Sequence, residues 1–373
     1  MAWPLARSLR RPGTHGEDGL SIVAPPRFHD LRIAAVRRET QDAVSVEFDV
    51  PPDLRDAYAF TPGQYLTLRA IIDGRDTRRS YSICSAPGEP LRVGIRLVHG
   101  GAFSTWAVGT LRSGDRLAVM TPEGRFGLPN GHGRTIAAFA AGSGITPILS
   151  IMKAVLADEA DSRFFLFYGN RATDSILFRD EIEDLKDRFL TRLSVFHVLS
   201  RERQDVPVLN GHLDAAKLPL LLRLMPPPDH ALVCGPLPMI EGLGPALAEH
   251  GLPADRLHIE RFTPSGDPIV RAAPIDADAP AFAIVTVILD GARTDIPVAE
   301  GETIVDAALR AGRDLPYSCK GGMCCTCRAR VREGQVEMAV NYSLEPWETD
   351  AGYVLTCQGR PITERVVVDF DAV

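Results

Sequence analysis

Three cysteines near the C-terminus follow a Cys-x4-Cys-x2-Cys pattern, and a fourth lies thirty positions beyond the third. They are Cys319, Cys324, Cys327 and Cys357. This spacing allows four thiolates to hold the two irons of a [2Fe-2S] cluster, three from one loop and one from a distant segment. The iron of such clusters prefers soft, charge-donating sulfur ligands. The cysteines therefore predict a redox centre that carries one electron at a time.

The residues around these cysteines favour a cluster over the main alternative, a structural zinc site. Gly321 and Gly322 permit the loop to curl closely around an inorganic group and to direct N–H groups at it. Four-cysteine zinc sites usually use two separated Cys-x2-Cys pairs instead. Cys325 is out of register with the ligands, so we predict that it is a packed side chain.

A second set of candidates lies in the string Arg79-Ser80-Tyr81-Ser82-Ile83-Cys84-Ser85, followed by Gly100-Gly101-Ala102-Phe103-Ser104. An arginine offers a planar fork of donors for a pyrophosphate. A tyrosine ring can lie against an isoalloxazine, and a serine hydroxyl can reach a ring nitrogen. Each residue alone also has an ordinary interpretation, as a strand aromatic, a surface charge or a loop hydroxyl. Together they predict an FAD site and resemble the FAD-binding domain of the ferredoxin-NADP reductase superfamily. The predicted FAD ligands are Arg79, Tyr81, Ser82, Ser85, Gly101 and Ser104.

The third set is a glycine turn between a buried strand and an amphipathic helix. The segment from Arg134 to Met152 contains Gly142-Ser143-Gly144-Ile145-Thr146-Pro147. Backbone amides and the dipole of a helix that starts at such a turn bind the pyrophosphate of a dinucleotide. The pattern alone has little specificity, because many loops match it. The predicted NADPH contacts in this turn are Gly142, Gly144, Thr146 and Pro147.

The superfamily resemblance implies further residues beside the reacting rings. It implies that Cys234, Gly235 and Pro236 form a turn next to the nicotinamide. It also implies that Glu260 and Phe262 close this domain against the flavin. The implied catalytic residues, which would line the flavin and nicotinamide rings, are Tyr81, Ser82 and Cys234.

The same resemblance bears on the choice of nicotinamide. It implies that Arg171, Ser200 and Arg201 flank the adenosine ribose. Arginine and hydroxyl groups there favour the 2'-phosphate of NADPH over a bare hydroxyl. The alternative is that both arginines are solvated surface residues. We therefore predict a preference for NADPH.

The pattern of the whole chain predicts the elements that position these residues, within a multidomain α+β and α/β protein. Short Val, Ile, Leu and Phe runs between glycines and prolines over residues 28–130 predict a six-stranded antiparallel FAD barrel. Strands that alternate with helices over 131–262 predict a doubly wound parallel sheet for NADP. A proline-rich linker is predicted for 263–281, and a flexible extension for 1–27. Residues 282–373 resemble the β-grasp ferredoxin fold.

Composition excludes several classes of function. The chain has 373 residues, a net charge of -7 and no basic footprint for nucleic acid. Its most apolar window, residues 135–152, is interrupted by Gly142, Gly144 and Pro147, so no membrane span is predicted. Seven cysteines without a disulfide framework indicate a reducing cytoplasm. From Phe282 onward nine Lys/Arg accompany fourteen Asp/Glu, an acidic balance that either steers a basic partner or is simply a solvated surface.

The three sites together predict a converter of paired electrons into single ones, because a flavin accepts a hydride and a [2Fe-2S] cluster carries one electron. Segments that hold no cofactor ligand apart from Cys357, including Asn341–Pro346 and Gly352–Gln358, resemble the reductase-component family of phenylacetyl-CoA epoxidases. That resemblance implies electron flow from NADPH through FAD and the cluster to a separate di-iron oxygenase subunit. The oxygenase would epoxidise the aromatic ring of phenylacetyl-CoA during aerobic phenylacetate degradation.

Two alternatives stay open at this point. One is a reductase for another oxygenase or for a hybrid-cluster protein, which would share every cofactor motif. The other belongs to a different class, a flavoprotein fused to a zinc-stapled binding module without a role in electron transfer.

Overall fold

A computed structural model describes residues 27–262 and 280–372. The predicted N-terminal extension, apart from residue 27, and most of the predicted linker lie outside the described residues. The described chain forms three units, each built on its own sheet, in the order barrel, parallel sheet and cluster unit. Among the helices in these ranges, none has the length and apolar character needed to cross a bilayer.

The barrel has six strands and one helix. They are β1 (Phe28–Thr40), β2 (Ala43–Asp49), β3 (Tyr65–Ile72), β4 (Arg75–Ser82), β5 (Leu91–Arg96), α1 (Ala102–Thr110) and β6 (Arg116–Met120). The strands pair antiparallel in the order β4-β3-β6-β1-β2-β5, and a bridge between Ile83 and Val93 brings the two edges together. Side chains alternate across a strand, and Leu66 and Leu68 are fully buried between more polar neighbours. The predicted antiparallel barrel is confirmed.

The parallel-sheet unit has five strands with helices on both faces, as predicted. Its strands are β7 (Thr135–Ala141), β8 (Arg163–Asn170), β9 (Leu193–Leu199), β10 (His230–Gly235) and β11 (Leu257–Arg261). Its helices are α2 (Ile145–Asp158), α3 (Arg179–Arg188), α4 (Leu218–Leu222) and α5 (Leu237–Glu249). The strand order is β11-β10-β7-β8-β9, with α2 and α3 packed on one face and α4 and α5 on the other. Because both faces are covered, the central strands are apolar throughout.

The cluster unit, residues 280–372, is a mixed sheet with two short helices. Its elements are β12 (Ala281–Leu289), β13 (Ala292–Ala299), α6 (Ile304–Arg310), β14 (Arg328–Glu333), β15 (Val336–Met338), α7 (Pro346–Asp350), β16 (Tyr353–Leu355), β17 (Gly359–Pro361) and β18 (Arg365–Asp369). Five strands pair in the order β13-β12-β18-β14-β16. The hairpin turn at Asp290-Gly291 has φ angles of 54° and 72°, as an Asp-Gly turn of type I' requires. Thr303 caps α6 by accepting the N–H of Asp306.

Candidate functional site

Strand pairing brings the fourth predicted cluster ligand to the other three. Cys327 directly precedes β14, and Cys357 follows β16 after one residue. The two strands pair antiparallel, with Arg328 opposite Leu355. The N–H of Thr356 then donates to the carbonyl of Cys327 at 3.0 Å. The fold therefore closes the thirty-residue gap in sequence between these two cysteines.

The four thiols are arranged as two pairs. The thiol of Cys319 neighbours that of Cys324, and the thiol of Cys327 neighbours that of Cys357. Within residues 27–262 and 280–372, no three His, Cys, Asp or Glu side chains are gathered as ligands of a single ion. A [2Fe-2S] cluster has two irons, each held by two thiolates, so two neighbouring pairs fit its donor requirement.

The loop also places backbone N–H groups against sulfur. Gly321 donates to the sulfur of Cys319 at 3.3 Å, and Cys319 donates to the sulfur of Cys324 at 3.5 Å. The Cys324 thiol and the backbone N–H groups of Gly321, Met323 and Cys324 lower the pKa of Cys319 to about 6, whereas the neighbouring Cys319 and burial raise the pKa of Cys324. Gly322 has a φ of +75°, and a Cβ there would lie 3.1 Å from the carbonyl oxygen of Val340. The loop thus has the tight curvature and the donors that a cluster with anionic sulfurs needs.

Strand β4 and helix α1 bring together the two halves of the predicted FAD site. The rings of Tyr81 and Phe103 lie with their centroids 5.7 Å apart. Gly101 immediately precedes α1, so the N–H groups of the first helical turn are available for a phosphate. Arg79 is half-buried in the same strand and donates one N–H to the carbonyl of Arg78 at 2.6 Å. The Gly-Gly-x-x-Ser pattern of residues 100–104 predicts a turn, whereas in the structure these residues open helix α1.

Two predicted FAD ligands use their hydroxyls to hold turns. Ser85 accepts the N–H of Arg92 at 3.1 Å. Ser104 accepts the N–H of Val98 at 3.1 Å and donates to the carbonyl of Gly101 at 3.3 Å. These hydroxyls shape the turns around the site, and their direct contact with FAD stays a prediction. Tyr81 and Ser82, the other two members of the string, are largely buried, and burial raises the pKa of Tyr81.

The two glycine turns of the parallel sheet touch each other through their backbones. A Cβ added to Gly144 would overlap the carbonyl oxygen of Cys234. Gly142 adopts a φ of +54°, which a residue with a Cβ rarely does. Thr146 and Pro147 lie in the first turn of α2. The predicted phosphate turn and the predicted nicotinamide turn therefore lie side by side at the carboxyl ends of β7 and β10, the edge at which dinucleotides bind in such sheets.

Glu260 lies directly opposite Cys234 in the pairing of β10 with β11. Burial raises the pKa of Glu260 to about 8, and burial followed by the nearby Glu260 raises the pKa of Cys234. Phe262 packs against the core on the α2 side of the sheet. Gly235 and Pro236 continue from Cys234 into α5. The residues predicted to line and close the nicotinamide site are thus neighbours, and near neutral pH the carboxyl among them is protonated.

The ends of β8 and β9 bring the predicted ribose residues together. The N–H of Ser200 donates to the carbonyl of Asn170 at 3.0 Å, and that of Arg201 to the carbonyl of Arg171 at 2.7 Å. Both arginines are exposed beside this edge. Sequence analysis did not consider Glu202, whose carboxylate accepts the N–H and hydroxyl of Thr173 at 2.7 and 2.8 Å.

Residues that join the units were also missed by sequence analysis. Arg92 of the barrel binds both oxygens of Glu181 in α3 at 2.7 Å, and Lys153 of α2 binds the same carboxylate. In β4, Arg78 points away from Arg79, because successive residues of a strand face opposite sides. Because neighbouring residues of a strand face opposite sides, two consecutive arginines in the sequence already indicated that only one of them could face the cofactor.

Comparison with known proteins identifies the family. The description "Oxidoreductase FAD-binding domain" matches residues 30–127, "Oxidoreductase NAD-binding domain" matches 139–244, and "2Fe-2S iron-sulfur cluster binding domain" matches 287–361. The chain is 45% identical over 357 residues to a component of the 1,2-phenylacetyl-CoA epoxidase of Escherichia coli (strain K12), covering 92% of this chain and 98% of that protein.

Two further relatives agree. The ferredoxin reductase component of 3-ketosteroid-9-alpha-monooxygenase from Rhodococcus rhodochrous is 37% identical over 347 residues, covering 91% of this chain and 96% of that protein. The solved structure of phthalate dioxygenase reductase superposes with a TM-score of 0.56 at 22% identity, covering 95% of this chain and 98% of that one. The chain therefore belongs to the family of oxygenase reductase components, oxidoreductases that combine FAD-binding, NAD-binding and [2Fe-2S] domains in one polypeptide.

Proposed function

We propose that this protein passes electrons from NADPH through FAD and a [2Fe-2S] cluster to the di-iron oxygenase subunit of a phenylacetyl-CoA 1,2-epoxidase. The observation that carries the proposal is the 45% identity to the E. coli epoxidase component, which extends over 92% of the chain and so includes residues outside the cofactor sites. We place the protein in the cytoplasm, because a cluster held by thiolates requires a reducing compartment.

A segment without cofactor ligands supports the choice of acceptor. Residues 341–346 lie against the cluster loop, where Gly322 accepts the N–H of Tyr342 at 3.1 Å and the hydroxyl of Ser343 at 3.2 Å. Tyr342 and the nearby Trp347 are 46% and 60% exposed. A protein acceptor must approach the cluster closely, so the residues exposed at this surface bear on which acceptor is used.

Each proposed role follows from the position of the side chain. When bound, the cofactors supply hydride transfer from nicotinamide to flavin and single-electron transfer at the cluster. The glycine turns would hold the dinucleotide phosphates, Arg79 and the start of α1 would hold those of FAD, and the four cysteines would hold the irons. Tyr81, Ser82 and Cys234 line the reacting rings. Glu260, protonated near neutral pH, keeps the space beside Cys234 free of a negative charge.

Reconstitution tests the acceptor. Purified holoprotein is combined with the oxygenase subunits of a phenylacetyl-CoA epoxidase or of a 3-ketosteroid monooxygenase, and NADPH consumption is followed with and without the substrate of each oxygenase. We expect consumption coupled to phenylacetyl-CoA in the first mixture. Coupling in the second mixture alone would transfer the assignment to another oxygenase. Flavin absorption with stoichiometric zinc and no acid-labile sulfide would overturn the relay itself.

The preference for NADPH rests on Arg171, Ser200 and Arg201 beside the ends of β8 and β9. Arg171→Ala removes a charged donor for the 2'-phosphate, so we expect the KM for NADPH to rise about tenfold, equivalent to one charge-assisted hydrogen bond at an exposed site. The KM for NADH should change much less. Arg203→Ala, an exposed arginine in the following loop, is the matched control. An equal change for both nucleotides would remove Arg171 from the phosphate site.

A further inference from the structure

The barrel and the cluster unit meet along one face of the β3–β4 hairpin. Residues paired across the two strands share a face, and Tyr65 pairs with Ser82 at one end of this hairpin. We call this row of side chains the hairpin face. Its members are Tyr65, Thr67, Arg69, Arg78, Ser80 and Ser82. The predicted FAD ligands Arg79 and Tyr81 occupy the opposite face, whereas Ser82, a third predicted FAD ligand, lies at the end of the hairpin face beside Tyr65.

Arg78 is the first anchor of this contact. Its side chain is 1% exposed, and it binds Asp314 of the cluster unit at 2.6 Å and Asp76 of the barrel at 3.1 Å. The guanidinium carbon lies 4.1 Å from the ring centroid of Tyr317. A buried charge is tolerated where its partners stay in place, and two of these three partners, Asp314 and Tyr317, belong to the cluster unit. The hydroxyl of Ser80 extends the contact by donating to Ser318 at 2.8 Å.

Glu348 is the second anchor, on the opposite side of the cluster loop. Its side chain is completely buried. Arg125 of the barrel binds it at 2.7 Å, and Arg328 of the cluster unit binds it at 2.6 Å. One carboxylate is therefore shared between two units.

Tyr65 lies between the anchors and touches the cluster loop itself. Its hydroxyl donates to the carbonyl of Cys324, a predicted iron ligand, and lies 3.0 Å from the hydroxyl of Thr326. The residue is 7% exposed. Its backbone pairs with Ser82, a predicted flavin contact. One residue thus connects the strand pair at the flavin site with the loop that holds the irons.

We propose that the hairpin face is the docking face for electron transfer inside this chain, and that Tyr65 is the positioning residue that sets the cluster loop against the flavin site. The inference rests on the proposed relay. With the cofactors bound, NADPH would supply both flavin electrons as a hydride, and the reduced flavin would pass them singly, each reducing one ferric iron to ferrous. The proton that the flavin loses on full reoxidation would go to solvent, and the Tyr65 hydroxyl keeps its own proton.

A pair of tyrosine variants tests the inner contact. Tyr65→Phe removes the hydroxyl that reaches Cys324, whereas Tyr58→Phe removes a buried hydroxyl that donates to Val119 inside the barrel at 2.7 Å. Anaerobic stopped-flow measurements on holoprotein follow flavin bleaching and, with freeze-quench EPR, cluster reduction. We expect Tyr65→Phe to lower the ratio of the cluster rate to the flavin rate by about two- to tenfold, the factor that corresponds to one lost hydrogen bond. Tyr58→Phe should keep the wild-type ratio.

Hydrogen exchange tests the docking without turnover. Asp314→Asn removes the negative partner of Arg78 on the cluster unit, and Asp49→Asn removes an exposed partner of Arg32 far along the barrel sheet. We expect Asp314→Asn, unlike Asp49→Asn, to speed exchange in peptides that cover β4 and the cluster loop. Exchange and rate ratios equal to wild type in both Asp314→Asn and Tyr65→Phe would overturn the inference.

The two proposals fail in different ways. If wild-type protein reduces its flavin but never its cluster, the proposed relay is wrong. If wild-type protein relays electrons and both variants do so equally well, the relay stands and the docking role of the hairpin face is wrong.

Discussion

Cys325 shows how much the position of a single residue decides within the cluster loop. It adopts a φ of +56°, its thiol donates to the hydroxyl of Ser343 at 3.0 Å, and Arg125 approaches its sulfur at 3.9 Å. Cys324, one position earlier, is paired with Cys319. In the sequence, only the spacing distinguishes Cys324 as a ligand from Cys325 as a non-ligand. The structure gives the physical reason, because the side chain of Cys325 is directed to Ser343 instead of to the other cysteines.

The two cysteines should respond differently to serine. Cys325→Ser retains a donor for Ser343, so we expect the visible absorption of the cluster and its acid-labile sulfide to be unchanged. Cys324→Ser replaces a soft thiolate with a hard hydroxyl, so both signals should be lost or strongly reduced. The measurement is anaerobic absorption spectroscopy with sulfide analysis. Loss of the cluster in Cys325→Ser would reassign the ligands.

Glu260 should make stability depend on pH. Its pKa is about 8 in the folded protein against 4.5 for the ordinary group, so between these values the folded state binds more protons than the unfolded state. The contribution of Glu260 to the free energy of unfolding is therefore greatest below about pH 4.5. It falls as pH rises towards 8, by at most about 1.4 kcal/mol per pH unit. In Glu260→Gln, the midpoint of urea unfolding should depend less on pH between pH 5 and 8.

Glu241→Gln, an exposed change on α5, is the control for this experiment. An identical pH profile in wild type and Glu260→Gln would mean that the Glu260 carboxyl is ionised throughout this range. The superfamily resemblance implies that Glu260 closes the NADP domain against the flavin. Its unusual titration follows from burial opposite Cys234, which no sequence pattern reveals.

At the scale of elements, periodicity predicted strands well and one helix badly. The apolar run Leu193–Leu199 predicts a strand, which β9 matches residue for residue, and the amphipathic pattern over residues 303–311 before Gly312 predicts a helix, within which α6 lies. Helix α1 was missed because Thr105, Val108, Gly109 and Thr110 have low helix propensity. Its stability comes from packing, as the full burial of Phe103 in the barrel core shows. Local sequence cannot report a contact of that kind.

The contact between the two glycine turns predicts a strong effect of a small change. Gly144→Ala places a methyl group on the carbonyl of Cys234, so the turns must move apart. We expect a loss of stability of about 1–3 kcal/mol, as overpacking causes, together with weaker NADPH binding. Thermal unfolding and nucleotide titration measure these effects. Gly109→Ala has open space around the new methyl group and should be neutral or stabilising by about 0.5–1 kcal/mol.

At the scale of the whole molecule, the sequence predicted three units and their order but not how they hold together. Arg92 and Glu181 are 89 positions apart, and Arg78 and Asp314 are 236 apart. A single sequence contains no signal that couples charges over such distances. These contacts follow from tertiary structure, which places charged side chains of one unit where another unit covers them.

The charge cluster between the barrel and the parallel-sheet unit predicts how the molecule unfolds. Arg92 and Lys153 are 11% and 7% exposed and share Glu181, which is 25% exposed. Glu181→Gln keeps the shape of the side chain but removes the negative charge that compensates the buried cations of Arg92 and Lys153. We expect a loss of about 2–3 kcal/mol, just below the range for broken buried pairs because Glu181 is partly hydrated. Calorimetry should show the first unfolding transition at a lower temperature, as the two units separate before either core melts.

Glu183→Gln on the same helix is the control. It breaks an exposed pair with Arg179 and should cost no more than about 0.5 kcal/mol. Equal transitions in the two variants would mean that apolar packing, rather than this charge cluster, joins the units.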